Sequence, residues 1–174
     1  MRGTNFGEAA QSLGFVSAEQ ITSAVAAQWG CPVFTIKDRR LPEVRIPLVL
    51  SQFYGMLPVH CVESGNKVCI ACVDTVHHPI LCTVEHMTGW TTMPCFITGS
   101  EYQELLRELM AAPRENEITF EEGRSASEIT GMIREHLSKI SAQMVRIGIC
   151  RDYLWARLAN EERELDLMFR FSMV

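Results

Sequence analysis

The sequence predicts an α+β protein in which an N-terminal helical hairpin packs on a small α/β sandwich, followed by a β-α-β-β-β C-terminal unit. Two patterns carry this prediction. Several segments repeat apolar residues at helical spacing behind a residue that caps helix N-termini. Other segments alternate apolar and polar residues and are joined by short turns that contain Gly, Asn or Asp, as antiparallel strands are.

The N-terminal hairpin occupies Asn5–Gln28, where two short helices are joined by a turn at Gly14. Ser17 and Gln20 form a capping-box pattern that begins the second helix, and Gly30 is placed to end it. Residues at helical spacing predict the face that the rest of the chain covers, and these are Ile21, Ala24, Val25 and Gln28.

The sandwich follows in the order strand, strand, helix, strand, helix. Ser64-Gly65-Asn66 joins the first two strands because Gly and Asn accept the positive φ of a tight hairpin. Both strands are partly apolar on either face, so we expect at least one to be covered on both sides. The predicted elements are a helix at Leu48–Tyr54, strands at Leu57–Glu63 and Lys67–Asp74, a helix at Ile80–Thr88, a strand at Thr91–Thr98, and a helix that begins with a capping box at Ser100–Gln103 and runs to Met110.

The tail is predicted to be a second unit behind a polar linker at Ala111–Glu117. It contains a strand at Ile118–Glu121, a helix at Ser125–Ser141, and a three-strand meander at Met144–Cys150, Tyr153–Ala159 and Arg163–Ser172. Alternation in the meander indicates one face on the helix and one face in water. The chain therefore divides into residues 1–110, a linker at 111–117, and residues 118–174.

Composition excludes several classes of function. The net charge is −5 and the basic residues are scattered, whereas nucleic-acid binders concentrate Lys and Arg on one face, so no nucleic-acid polymer is expected as a partner. No apolar run approaches the roughly 20 residues that span a bilayer, and the first residues lack a signal-peptide core. The seven cysteines fit reduced thiols better than a disulfide framework. We therefore expect a cytoplasmic protein without direct membrane insertion.

Some residues of the hairpin occur at a characteristic spacing, and these are Phe6, Gly7, Gly14, Val16, Ile21, Val25 and Gln28. This pattern resembles the nucleotide-binding repeat in the N-terminal regulatory domain of type II secretion and type IV pilus assembly ATPases, the GspE/MshE-type N-terminal domain. The resemblance spans residues 5–110 and continues through Gly30–Phe34, the helix around Pro47–Tyr54, Leu57–Val59, Cys69–Asp74 and Met87–Gly89. The resemblance implies a domain that either docks the ATPase to a partner protein in the membrane platform of the machinery or responds to cyclic di-GMP.

By this resemblance, the candidate cyclic di-GMP residues are Asn5, Phe6, Gly7, Gly14 and Gln28. The family pattern begins with Arg, whose planar fork pairs with phosphate or a guanine edge. Asn5 lacks that charge, and the repeat occurs once here rather than in tandem. Docking to a protein of the secretion or pilus machinery is therefore the favoured function. A cyclic di-GMP sensor is the alternative, and no other cofactor is expected.

Catalysis is not predicted, because the sequence lacks the G-x-x-x-x-G-K-[ST] phosphate loop, the G-x-S-x-G elbow and the H-E-x-x-H helix. A metal or thiol protein is the third hypothesis. Cys69 and Cys72 have zinc-like spacing, and His78, Cys82 and His86 lie at i, i+4 and i+8. On a strand, however, an odd offset points Cys69 and Cys72 to opposite faces, so we assign no metal site.

Tyr153, Trp155 and Arg157 are the candidate partner-binding residues. Aromatic and Arg side chains on a wet strand face have the composition of a binding hot spot. The alternative is that Trp155 covers the junction between the two units. The predicted tail sheet also has an unpaired strand edge at which two copies could pair, so a homodimer is a further hypothesis.

Overall fold

The computed structural model describes residues 6–38, 44–62 and 64–170. The helices are α1 (Phe6–Ser12), α2 (Ala18–Trp29), α3 (Leu48–Tyr54), α4 (His78–Thr88), α5 (Gly99–Ala111) and α6 (Ala126–Lys139), with a 3₁₀ turn at Ile36–Asp38. The strands are β1 (Met56–Val62), β2 (Lys67–Cys72), β3 (Thr91–Phe96), β4 (Glu117–Phe120), β5 (Met144–Cys150), β6 (Tyr153–Ala159) and β7 (Glu164–Arg170). The predicted α+β class is confirmed.

The first sheet has the strand order β1-β2-β3. β1 and β2 are antiparallel, as the Gly65-Asn66 turn predicts, and β3 runs parallel to β2. The central strand β2 is covered on both faces. Val68 and Ile70 pack into a core with α3 and α4, and Ala71 packs into a second core with α5. The prediction of a strand covered on both sides is confirmed.

Helix α5 begins earlier than its sequence pattern indicated. The Thr98 hydroxyl accepts the Glu101 N–H at 3.3 Å, and the Glu101 carboxylate accepts the Thr98 N–H at 2.9 Å. The predicted capping box at Ser100–Gln103 is therefore wrong. Both quartets fit the S/T-x-x-E/Q pattern, but Thr98 has the extended backbone that an N-cap requires, whereas Ser100 already lies inside the helix.

The second sheet has the strand order β4-β7-β6-β5. β5, β6 and β7 form the predicted antiparallel meander, and β4 pairs in parallel with β7. Helix α6 covers one face, where Ile129 and Ile133 pack with Leu158, Leu167 and Phe169. The final residues of the predicted last strand lie outside the described residues.

The other face of this sheet is not in water, which corrects the prediction. Trp155 and Met168 lie in one core with residues of α3, α4 and the first sheet. The alternation was correctly identified, but both faces of the central strands are buried because a second layer covers the face that carries Trp, Arg and Asp side chains.

The predicted linker is short, since α5 reaches Ala111 and β4 begins at Glu117. The Glu117 carboxylate accepts the Leu48 N–H at 2.8 Å and so satisfies a free donor at the start of α3. The division of the chain at residues 111–117 stays a prediction. Within the described ranges, no helix combines the length and the apolar character needed to cross a membrane.

Candidate functional site

The N-terminal hairpin has the local geometry that its sequence predicts. At the end of α1, the N–H of Gly14 donates to the Gln11 carbonyl at 2.9 Å, and the N–H of Phe15 donates to the Ala10 carbonyl at 3.0 Å. Gly14 has a φ of 73°, where a side chain would strain the backbone. Ser17 then forms the reciprocal capping box that begins α2. The turn is therefore fixed by backbone hydrogen bonds at the end of α1 and by the side-chain capping box at the start of α2.

The packed face of α2 differs from the prediction by one position. Of the predicted residues, Ile21 and Val25 are half-buried and Val25 packs against the core, whereas Ala24 and Gln28 are exposed. The buried residues are Thr22 and Ala26. The Thr22 hydroxyl donates to the Ala18 carbonyl at 3.0 Å, so burial leaves no unpaired polar group. Small side chains on this face allow α2 to approach β3 closely. Periodicity marked the helix correctly, but the packing against β3 chose which stripe is covered.

The five candidate nucleotide residues are distributed along the hairpin. Phe6 and Gly7 are the first residues of α1, Gly14 lies in the turn, and Gln28 lies in the last turn of α2. Asn5 lies outside the described residues. Gly14 has a structural role through its positive φ, and Gln28 is a solvent-exposed helix residue. Their role in ligand binding stays a prediction.

The turn exposes two apolar side chains that the sequence reasoning missed. Leu13 is 68% exposed and Phe15 is 77% exposed, and they flank Gly14 on either side. We call these two residues the turn patch. They lie outside the helical stripe of either helix, which is the sequence signal that could have identified them. At the other end of α2, the Trp29 ring lies 6.0 Å from the His78 ring.

The candidate partner-binding residues of β6 are buried, which corrects the expectation of an exposed patch. Trp155 is 0% exposed, and Tyr153 and Arg157 are also buried. The Arg157 guanidinium pairs with the Asp166 carboxylate through two contacts of 2.8 Å. The Trp155 indole N–H donates to the same carboxylate at 2.7 Å. The alternative, that Trp155 covers the junction, is the arrangement observed.

This network also ties the second sheet to the segment before α3. Arg157 donates to the Arg45 carbonyl at 2.9 Å. Burial alone would lower the pKa of Arg157, but hydrogen bonds and charge from Asp166, with a smaller contribution from Glu164, raise it above its ordinary value. The guanidinium is therefore a permanently charged group that links β7 to the segment before α3.

The cysteines are divided between cores and surface. Cys72 belongs to the core with α4, and Cys69 packs against the core with α5, as the odd offset on a strand predicts. Burial raises the pKa of the Cys72 thiol to about 12, and burial also raises the pKa of Cys95. These thiols are protonated at neutral pH and hence unreactive. Among the described residues, no cluster of three or more His, Cys, Asp or Glu side chains is arranged to hold a metal ion.

Comparisons with known proteins give matches among solved structures. No family model matches the chain, and no curated protein matches it. Two structures of the N-terminal domain of XpsE, from different crystal forms, do match. The chain is similar to that domain. One match has a TM-score of 0.45 at 20% identity and covers 60% of this chain and 74% of the other. The second has a TM-score of 0.46 at 18% identity and covers 61% and 76%.

These matches agree with the resemblance predicted from the sequence, to the N-terminal domain of type II secretion ATPases. At TM-scores of 0.45 and 0.46, the likeness assigns neither a function nor a site residue to this chain.

Proposed function

We propose that this chain is a non-catalytic regulatory or adaptor domain that docks to a protein partner of a secretion or pilus assembly system. The sequence resemblance over residues 5–110 supports the system. The turn patch supports the docking, because Leu13 and Phe15 project into solvent from the most characteristic segment of the resemblance. Aromatic side chains are enriched in protein interfaces, where they fill apolar sockets.

The turn patch is presented by a rigid backbone. The hydrogen bonds of Gly14 and Phe15 close the end of α1, and the Ser17–Gln20 capping box begins α2 directly afterwards. A partner that receives Phe15 therefore orders little additional backbone. Preorganisation of this kind raises affinity by lowering the entropic cost of association.

The charge of the hairpin favours a protein over a nucleotide dianion. Residues 6–30 contain Glu8 and Glu19 and no Lys or Arg. Phosphate recognition normally uses Arg or Lys, or the N–H groups at a helix N-terminus. The hairpin is therefore complementary to a protein partner whose surface is uncharged or basic and contains an apolar pocket.

The docking proposal is tested with the cytoplasmic part of a platform protein from the same secretion system. Phe15→Ser is expected to weaken calorimetric binding by roughly 30-fold, the effect of losing a hot-spot side chain. Phe53→Ser is the matched control, since Phe53 is 47% exposed on a different helix. Unchanged affinity in Phe15→Ser, or an equal loss in both variants, would contradict the proposal.

The second candidate is a cyclic di-GMP sensor. Gln28 is exposed at the end of α2, and the space around the Gly14 backbone is open to a ligand, because a Cβ there would meet no atom within 4 Å. Calorimetric titration with cyclic di-GMP, with GTP as the control, separates the two functions. If the chain docks to a protein only, we expect no heat of binding in the titration with cyclic di-GMP. Micromolar binding that Gln28→Ala weakens would instead make the chain a sensor.

A further inference from the structure

Strand β5 lies at the edge of the second sheet and carries an exposed apolar stripe. Val145 is 39% exposed, Ile147 49% and Ile149 64%, and all three point to the face of the sheet that α6 covers elsewhere. Their neighbours across β6 are Leu158, Ala156 and Leu154. The apolar surface of the α6 core therefore continues onto β5 and ends there in solvent.

The other sheet edges carry features that discourage strand addition, and β5 does not. β1 has Pro58 and a register shift after it. β3 contains Pro94, and β4 is only four residues long. β5 has seven residues in an unbroken register, without Pro, Lys, Asp or Glu. Such an edge is a template for pairing with another strand.

The charged group of β5 is withdrawn from the edge. The Arg146 guanidinium donates to the Met87 carbonyl at 3.0 Å, at the end of α4. Gly148 lies on the same face as Arg146 and has no side chain. At the far end of the strand, the Thr83 hydroxyl donates to the Ile149 carbonyl at 3.2 Å. That carbonyl keeps a second lone pair for another donor.

We propose that β5 pairs antiparallel with β5 of a second copy, about a two-fold axis that passes between Ile147 and the partner's Ile147. The strand is self-complementary about this residue, as a two-fold interface requires. Val145 then lies opposite the partner's Ile149, and Ile147 lies opposite the partner's Ile147. Arg146 meets the partner's Gly148, so no like charges face each other. The two sheets join into one, and the exposed apolar stripes cover each other.

Sedimentation equilibrium of the full chain over a concentration series tests this proposal. The wild type is expected to be a dimer, and Ile147→Lys and Ile147→Glu are each expected to be monomers, since like charges directly opposite repel. A mixture of the two variants is expected to recover a dimer, because residue 147 then faces its opposite charge. Met110→Lys is the matched control and is expected to stay dimeric, as Met110 is an exposed apolar residue of α5, which is not part of this sheet.

Circular dichroism of each variant shows whether the fold is intact. We expect an intact fold, because residue 147 is exposed. A wild type that is monomeric at all concentrations would overturn the proposal. The edge of β5 would then be available for a strand of a different protein. A dimer that persists in Ile147→Lys would place the interface elsewhere. Monomers in the mixture would overturn the pairing of Ile147 with itself.

Discussion

At the scale of single residues, the Arg157–Asp166 pair dominates the second sheet. Both side chains are buried, and Asp166 also accepts the indole N–H of Trp155. A buried pair of this kind gives little net stability against an apolar replacement, but it is costly to break because one charge is left without its partner. The pair therefore specifies how the sheet meets the rest of the chain.

Replacing one partner shows this asymmetry. Asp166→Ala is expected to lower the free energy of unfolding by about 3–5 kcal/mol, since the Arg157 charge stays buried. Glu164→Ala is the control, because Glu164 is 54% exposed and lies 3.6 Å from the same guanidinium. We expect that control to cost less than about 1 kcal/mol. Urea denaturation measures both, and equal losses would show that Asp166 has no special role.

Buried thiols make stability depend on alkaline pH. Burial raises the pKa of Cys72 and of Cys150 to about 12, from the ordinary thiol value of 9.0. Above pH 9 the unfolded thiols lose protons while the folded ones keep them, so stability falls as pH rises towards 12. Each thiol is expected to contribute a slope of about 1.4 kcal/mol per pH unit in that window.

Chemical denaturation at pH 8 and at pH 10.5 measures the effect. We expect Cys150→Ala to reduce the loss of stability between these two conditions by more than Cys82→Ala, which replaces an exposed thiol, does. An identical pH dependence in the wild type and Cys150→Ala would contradict the assigned cause.

At the scale of elements, the contact of β5 with α4 depends on a missing side chain. A Cβ on Gly148 would lie 2.6 Å from the Thr83 methyl and 3.2 Å from the Met87 sulfur. Glycine in a strand is otherwise unfavourable, so its presence here reflects the close approach of the helix. The same approach brings Thr83 to the Ile149 carbonyl and Arg146 to the end of α4.

Gly148→Ala is accordingly expected to destabilise the protein by about 1–3 kcal/mol through overpacking. Gly131→Ala provides the comparison, since Gly131 lies in α6 with no atom within 4 Å of an added Cβ. There the helix propensity of Ala is expected to add about 0.5–1 kcal/mol of stability. Thermal melting of both variants tests whether their stabilities change in opposite directions. A higher stability in Gly148→Ala would contradict the close packing.

At the scale of the whole molecule, the two sheets share one core. Cys150, Trp155 and Met168 of the second sheet pack in the same cluster as Leu50 of α3 and Val84 of α4. The Arg157 contact with Arg45 and the Glu117 contact with Leu48 add polar links between the same regions. Neither sheet buries its apolar surface alone, so we expect the two to unfold together.

The chain is expected to show one unfolding transition that is the same by far-UV and near-UV circular dichroism. Trp155→Ala creates a cavity in the shared core and is expected to lower the stability of that single transition by about 3–5 kcal/mol. Trp90→Ala, at a half-buried position, serves as the comparison and is expected to cost less. Two separate transitions in the wild type would show that the two parts fold independently.

Local chemistry in the sequence determined most of the elements. The Ser17 cap, the Gly65-Asn66 turn and the alternation from Met144 to Cys150 depend on residues a few positions apart, and each appears where it was predicted. The choice between Thr98 and Ser100 as the cap of α5 was not determined in this way, since both satisfy the same short pattern and only the end of β3 distinguishes them.

Only the tertiary structure decided which faces are buried. Trp155 and Arg157 alternate as residues of a half-exposed strand do, but α3, α4 and the first sheet, all distant in the sequence, cover the face that carries Trp155. The same holds for Thr22, which is buried in a helix, α2, that contacts β3. Periodicity is a property of one segment, whereas burial requires a partner surface. The sequence therefore determined the helices and strands, and long-range packing determined which residues are left for a partner.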